Sequence, residues 1–303
     1  MSKKVLVLMG GFSAEREVSL VSGQGVADAL KSKGYEVICH DLHDVRAFIR
    51  VLEQEHPDVV FNALHGNWGE DGEIQGLLDL LQIPYTHSGV KASAMGMDKA
   101  VTKIMAQSCG IKTADSEELT YGEFKRRGTS MKLPFVVKPE CDGSSVGVFI
   151  VKTAEDVEKV RYDDDDTALI VEQYVPGKEL TCAVLDGKAL AVTELRAKTA
   201  FYDYEAKYTD GMTQHILPAP LADEVTVTCK DYAERLHKKL GCRSVSRCDF
   251  RYNEQDGVVL LEINTAPGLT PLSLVPEQAA YCGIDYPSLC EKLVNGAACR
   301  KIG

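Results

Sequence analysis

The chain has 303 residues, enough for two or three compact domains. Its 45% hydrophobic and 26% charged residues are the composition of a folded globular protein rather than a disordered or fibrous one. A net charge of -11 argues against a nucleic-acid partner, which requires a basic face to neutralise phosphates, yet leaves room for a nucleotide held by a few local cations.

In chain order, Val5 to Met9 reads as a buried parallel strand closed by the tight turn Gly10-Gly11. Ser13 is placed to cap the next helix, with Val18, Val21, Val26 and Leu30 as its core stripe and Gly34 as its end. Tyr35 to Cys39 and Val59 to Ala63 read as further strands. The loop His65-Gly66-Asn67-Trp68-Gly69-Glu70-Asp71-Gly72 follows, and Ile74, Leu77, Leu78 and Leu81 mark another helix. Strands alternating with helices imply a parallel sheet covered by helices, in a first domain ending near residue 94.

A helix from about Asp98 to Cys109, with Val101, Ile104 and Met105 inward, opens a second region. Its strands are Phe135 to Lys138, Val148 to Val151 and Ala168 to Glu172, the first two joined as a hairpin by Asp142-Gly143-Ser144-Ser145-Val146-Gly147. Asp163 to Asp166 reads as a solvated turn. A third region has strands at Leu180 to Leu185, Ala189 to Leu195, Ser244 to Tyr252 and Val258 to Asn264, with a helix from about Asp223 to Leu240 between them. Thr199 to His215 mixes aromatic and charged residues without period, as a mobile loop or a clamp would.

Ten scattered cysteines, with no C-x-x-C pair, point to free thiols in a reducing compartment rather than to disulfides or zinc. The apolar run after Met1-Ser2-Lys3-Lys4 is too short for a signal peptide, and no run is long enough to span a bilayer. A soluble, cytoplasmic protein is therefore expected.

Neither a P-loop nor a G-x-G-x-x-G motif is present. Gly143 to Gly147 is the one Gly/Ser-rich loop suited to phosphate, and it is equally a plain turn. Glu262-Ile263-Asn264 projects two oxygen ligands from one strand face, and Asp249 shares a strand face with Arg247. These suit Mg²⁺, or else Glu262 and Arg247 form a structural ion pair. Lys99 at a helix start and Lys138 at a strand end are phosphate ligands or solvated ends. Glu172 to Val175 is an adenine edge or a crossover, Glu15 sits in a helix first turn where a carboxylate is favourable anyway, and His65 is a loop or a functional histidine.

Taken together and in order, these motifs resemble the D-alanine–D-alanine ligases of the ATP-grasp superfamily. The residues that carry the resemblance are Gly10-Gly-Phe-Ser-Ala-Glu15-Arg-Glu-Val-Ser, His65-Gly with Gly69-Glu-Asp-Gly, Met97-Asp-Lys99, Val137-Lys138-Pro, Gly143-Ser144-Ser-Val-Gly, Tyr204-Glu-Ala-Lys207-Tyr208, Arg247-Cys-Asp249 and Glu262-Ile-Asn264-Thr-Ala-Pro-Gly268-Leu-Thr. The resemblance implies an α/β fold, α+β in its ATP-grasp part. It comprises an N-terminal Rossmann-like parallel-sheet domain (1–94), a central lid domain (95–174) and a C-terminal catalytic domain (175–303), the last two being the sheet domains of the ATP-grasp fold. It further implies ATP as co-substrate, two Mg²⁺ ions (or Mn²⁺), a homodimer, no membrane partner, and synthesis of D-alanyl-D-alanine for peptidoglycan.

Carried over by position, Lys99, Lys138, Ser144, Ser145 and Lys207 would hold the ATP phosphates. Glu172, Gln173, Val175 and Glu179 would line the adenosine pocket, with the backbone as the contact at Gln173, where relatives often carry Lys. Asp249, Glu262 and Asn264 would bind the metal ions. Glu15 would take the ammonium of the first D-alanine, with His65 also on the substrate side, and Ser273 the carboxylate of the second. Arg247 and the N–H of Gly268 would stabilise the acyl phosphate and the oxyanion. Glu15, Ser144 and Tyr208 would form a triad closing the loop, and Cys248 would face away as a small hydrophobe. Two other readings share the motifs: a ligase for D-lactate or D-serine, of which D-lactate is disfavoured by a tyrosine rather than a histidine at 208, and a non-catalytic nucleotide switch, which would not need Glu15, Arg247 and Ser273.

Overall fold

The computed structural model describes residues 2–141, 143, 147–197, 213–271 and 273–301. Alternating apolar residues build the first sheet. β1 (Lys4–Gly10) pairs in parallel with β2 (Glu36–Leu42) on one side and β3 (Val59–Asn62) on the other. Val5, Val7 and Met9 face one core with the helix Arg16–Ser32, while Leu6 and Leu8 face another with Phe48, Leu52 and Leu78. Period-two alternation with apolar residues on both faces is what a parallel sheet covered by helices requires. The first core also takes in Ala183 and Leu185 and the C-terminal residues Leu289, Leu293 and Val294, so the two ends of the chain fold into one apolar cluster.

The second sheet is antiparallel, in the order β4 (Ser116–Thr120), β7 (Ala168–Gln173), β5 (Phe135–Pro139), β6 (Phe149–Val151). The third, also antiparallel, runs β10 (Thr213–Ile216), β9 (Lys188–Ala197), β8 (Lys178–Leu185), β11 (Val245–Asn253), β12 (Gly257–Asn264). Helix Asp223–Leu240 covers this third sheet through Cys229, Ala233 and Leu236. A parallel sheet followed by two antiparallel ones is the arrangement expected of an ATP-grasp enzyme. Among the described residues, no helix is long and apolar enough to cross a membrane.

Several local expectations are corrected. Val21 is exposed on helix Arg16–Ser32, whose buried face is Ser19, Ser22, Val26, Ala27 and Leu30. Glu15, not Ser13, occupies the cap position of that helix, and the Ser13 hydroxyl lies just outside it, accepting from the Glu15 N–H (3.2 Å) and donating to the His65 carbonyl (2.6 Å). On helix Lys99–Gln107, Ile104 points outward while Lys99, Lys103 and Ala106 are buried. The segment expected to be aperiodic up to His215 ends instead in β10, which pairs with β9. Helices at Val45–Glu55, Leu274–Tyr281 and Tyr286–Asn295 were not anticipated. All ten cysteines are free, and Cys182, Cys229, Cys248 and Cys290 are buried in the core. Cys248 is fully enclosed, as a small hydrophobe should be.

Candidate active site

On β11, buried Cys248 and Phe250 alternate with Arg247, Asp249 and Arg251, which share the opposite face. Register places Arg247 opposite Asn264 and Asp249 opposite Glu262 on β12, with a bulge between Asp249 and Phe250. Two carboxylates and an amide oxygen thus come from adjacent strands, beside a bulge that aims side chains away from the regular pleat. Arg247 grips Asp249 through Nε–Oδ1 (2.9 Å) and Nη2–Oδ2 (2.8 Å), and Thr181 Oγ1 donates to Asp249 Oδ1 at 2.7 Å. The Asn264 Oδ1 accepts from the Ala266 N–H at 3.1 Å. Asp249 Oδ1 already accepts two hydrogen bonds, but Oδ2 accepts one, as does Asn264 Oδ1, so those two oxygens each keep a lone pair for a hard cation.

A second cluster lies where helix Lys99–Gln107 meets the second sheet. Lys99 and Lys138 are not solvated ends: both are buried, as is Glu172. Glu172 is shared between Lys138 (Nζ–Oε2 2.6 Å) and Lys103 (Nζ–Oε1 2.5 Å), while Lys99 Nζ donates to the Glu140 carbonyl at 3.4 Å. Burial alone would raise the Glu172 carboxyl, but the Lys138 and Lys103 charges outweigh it and hold it below the ordinary carboxylate value. Lys103 escaped the sequence reading, although its i+4 spacing from Lys99 on a face shared with Ala106 was the available signal.

Downstream, the Gln173 side chain is turned into the structure, donating to the Lys132 and Pro134 carbonyls (3.1 and 2.8 Å), and its N–H donates to Asp115 O at 2.9 Å. The crossover to β8 needs Gly177: its φ is +113°, and a Cβ there would sit 2.1 Å from Tyr252 O. Arg251 fastens this crossover, donating to Val175 O (3.1 Å), Glu179 Oε2 (3.1 Å) and the Tyr174 hydroxyl (3.2 Å). Strand periodicity from Arg247 through Asp249 would have found Arg251.

The third cluster belongs to the N-terminal sheet. Glu15 is buried at the start of helix Arg16–Ser32. A Cβ built on Gly66 (φ +69°) would lie 2.9 Å from Glu15 Oε2, and one on Gly143 only 3.1 Å away, so the carboxylate sits against both loops. His65 is buried with both ring nitrogens engaged, Nε2 by Ser22 Oγ (3.1 Å) and Nδ1 by Glu70 Oε1 (3.3 Å). Burial, reinforced by the Glu15 charge and opposed by the His65 hydrogen bond, raises the Glu70 carboxyl. Asn62 holds both ends of this loop, accepting from the Leu64 N–H (3.2 Å) and donating to Gly69 O (2.8 Å).

Gly268 and Ser273 form the fourth group. Ser273 stands at the N-cap position of helix Leu274–Tyr281, its hydroxyl 2.7 Å from Thr270 Oγ1 and 3.4 Å from a Cβ placed on Gly268. Ser144, Ser145, Lys207 and Tyr208 lie outside the described residues.

The chain matches the family model described as D-ala D-ala ligase C-terminus over residues 105–295, and the D-ala D-ala ligase N-terminus model over 4–56 and 46–88. It is 49% identical over 302 residues to a D-alanine–D-alanine ligase of Acidiphilium cryptum (98% of this chain, 99% of the relative). It is 48% identical over 303 residues to that of Gluconobacter oxydans (98% and 100%). The fold is similar to the D-alanine–D-alanine ligase of Bacillus anthracis solved in complex with ATP, with a TM-score of 0.81, 32% identity, and coverage of 98% of this chain and 97% of that one. With both halves matched and near full-length coverage in each direction, this chain belongs to the D-alanine–D-alanine ligase family.

Proposed function

We propose that the protein joins two D-alanines into D-alanyl-D-alanine, converting ATP to ADP and phosphate. The observation that carries this reading is the Arg247–Asp249 pair facing Glu262 and Asn264 across one strand register, within a chain related to such ligases over its whole length. All three candidate metal ligands offer oxygen, the donor a hard divalent cation takes. Asp249, Glu262 and Asn264 would hold two Mg²⁺ ions, whose chemistry there is to neutralise charge on the transferring phosphate oxygens.

Lys99 and Lys138 would hold the phosphates, and Glu172, Gln173, Val175 and Glu179 would line the adenosine site. The Gln173 side chain is already committed to Lys132 and Pro134. Glu15 would bind the ammonium of the first D-alanine beside His65, leaving its carboxylate free to attack the γ-phosphorus and displace ADP. The acceptor carboxylate would sit at Ser273, where the start of helix Leu274–Tyr281 favours an anion. The deprotonated acceptor amine then attacks the acyl-phosphate carbonyl, Arg247 and the Gly268 N–H stabilise the tetrahedral oxyanion, and phosphate leaves. Ser144, Ser145, Lys207 and Tyr208 keep the roles the resemblance implies. The same reading places the protein in the cytoplasm as a homodimer, with domains at 1–94, 95–174 and 175–303.

The test is phosphate release with ATP, Mg²⁺ and D-alanine, followed by product analysis near pH 7 with D-lactate also present. D-alanyl-D-alanine as the main product is expected. Phosphate release no faster than with ATP alone, or a depsipeptide as the main product, overturns the reading.

A further inference from the structure

Three buried ionisable groups, Lys103, Lys138 and Glu172, meet with one carboxylate between two ammonium groups. Lys99 is buried one turn before Lys103 on the same helix face, so two like charges are stacked at i and i+4, an arrangement that disfavours the helix. Burial pulls the Lys103 pKa down, opposed by Glu172 and, more weakly, by Asp115. Such a cost is hard to explain as mere anchoring, since an apolar side chain of similar length would join helix Lys99–Gln107 to β7 without it.

Resting on the proposed function, we propose that Lys103 is a positioning residue for the nucleotide phosphates, which takes one oxygen of Glu172 so that the shared carboxylate neutralises Lys138 only in part. The two oxygens of Glu172 are divided between the two lysines. With both present, the cluster carries one net positive charge and attracts an anion. Without Lys103, Glu172 and Lys138 close into a neutral pair, and Lys138 no longer presents a net cation to phosphate.

The experiment compares wild type, Lys103→Met, Lys103→Arg and the double variant Lys103→Met/Glu172→Gln. Binding of ADP and of inorganic tripolyphosphate is measured by calorimetry, with phosphate release assayed separately. Tripolyphosphate has no nucleoside, so any adenosine contact of Glu172 drops out of the reading. Lys103→Met should weaken tripolyphosphate on the order of 10- to 100-fold, as expected for one charge-assisted contact, while the KM for D-alanine stays within about threefold. Lys103→Arg should bind within about threefold of wild type.

The decisive variant is the double one, in which the amide no longer neutralises Lys138 and tripolyphosphate affinity should return. A merely structural lysine would give no such rescue. Unchanged tripolyphosphate binding in Lys103→Met, or a folded double variant that binds it weakly, overturns the proposal. Should Lys103→Met not fold, the double variant and Lys103→Arg decide the matter alone. Absence of ligase turnover in the wild type would instead count against the proposed function, leaving the binding test intact.

Discussion

Gln278 is fully buried on helix Leu274–Tyr281, and its amide is spent entirely on β8 and β9 of the third sheet. Its Oε1 accepts from the Ala183 N–H at 2.8 Å, and its Nε2 donates to Thr181 O (3.3 Å) and Thr193 Oγ1 (3.1 Å). Ala183 lies within the irregularity between Cys182 and Val184, where β8 loses register with β9. The side chain therefore supplies a partner that the ladder does not. Replacing it by Met keeps an unbranched side chain of similar volume, so the cavity contribution is small and the lost hydrogen bonds dominate. One orphaned buried N–H costs about 1–3 kcal/mol and two weakened acceptors add to it, for a total of about 2–4 kcal/mol. Function should suffer too, because the helix begins at Ser273 and because Thr181 carries the hydroxyl bonded to Asp249. Gln278→Met should therefore lower the melting temperature and raise the KM for the acceptor D-alanine more than that for ATP. Thermal melts with steady-state kinetics provide the assay. A variant that melts with wild type, or one whose ATP and acceptor KM values rise equally, would refute this reasoning.

Other consequences are as direct. Glu262→Gln removes one of the paired carboxylates and should cost at least about 100-fold in kcat with the fold retained, with partial recovery at high Mg²⁺; near-normal phosphate release would remove the site from the account. His87 is buried at φ +68° with Nε2 unpartnered, and burial, with His65 and Arg243 adding to it, pushes its pKa down to about 3. The unfolded chain thus binds the extra proton between about pH 6.5 and 3, and folded stability falls as pH drops through that window. His87→Asn, which tolerates the left-handed backbone, should lose about 2 kcal/mol less than wild type between pH 7 and pH 5 in denaturant titrations. Equal acid sensitivity in both would contradict it. Thiol titration of the native protein should show the exposed Cys141 and Cys282 reacting fast, while Cys182, Cys229 and Cys290, pushed up by burial, react only on unfolding.

Much of this was legible in one dimension because the signals are local. The continuous apolar run Val5 to Met9 and the two-residue alternation from Ser246 to Phe250 mark strands whatever surrounds them, and Asp98 before Lys99 marks a helix start through a cap that the structure forms (2.8 Å to the Val101 N–H). Motif order along the chain pointed to the family, and Glu262-Ile263-Asn264 showed its shared face by spacing alone. Register between strands is not local. That Asp249 meets Glu262, and Arg247 meets Asn264, depends on how β11 pairs with β12. Burial is not local either. Lys99, Lys103 and Lys138 look like solvated charges in the sequence, and only the folded arrangement, in which Lys103 reaches from helix Lys99–Gln107 to β7, brings Glu172 between two of them. Gln278 is the plainest case: nothing near it in sequence asks for an amide, and the group that needs one is the Ala183 N–H, 95 residues away. A hydrogen bond left unmade by a sheet irregularity acquires a partner only when the chain has folded, so the residue that supplies it is decided by tertiary structure alone.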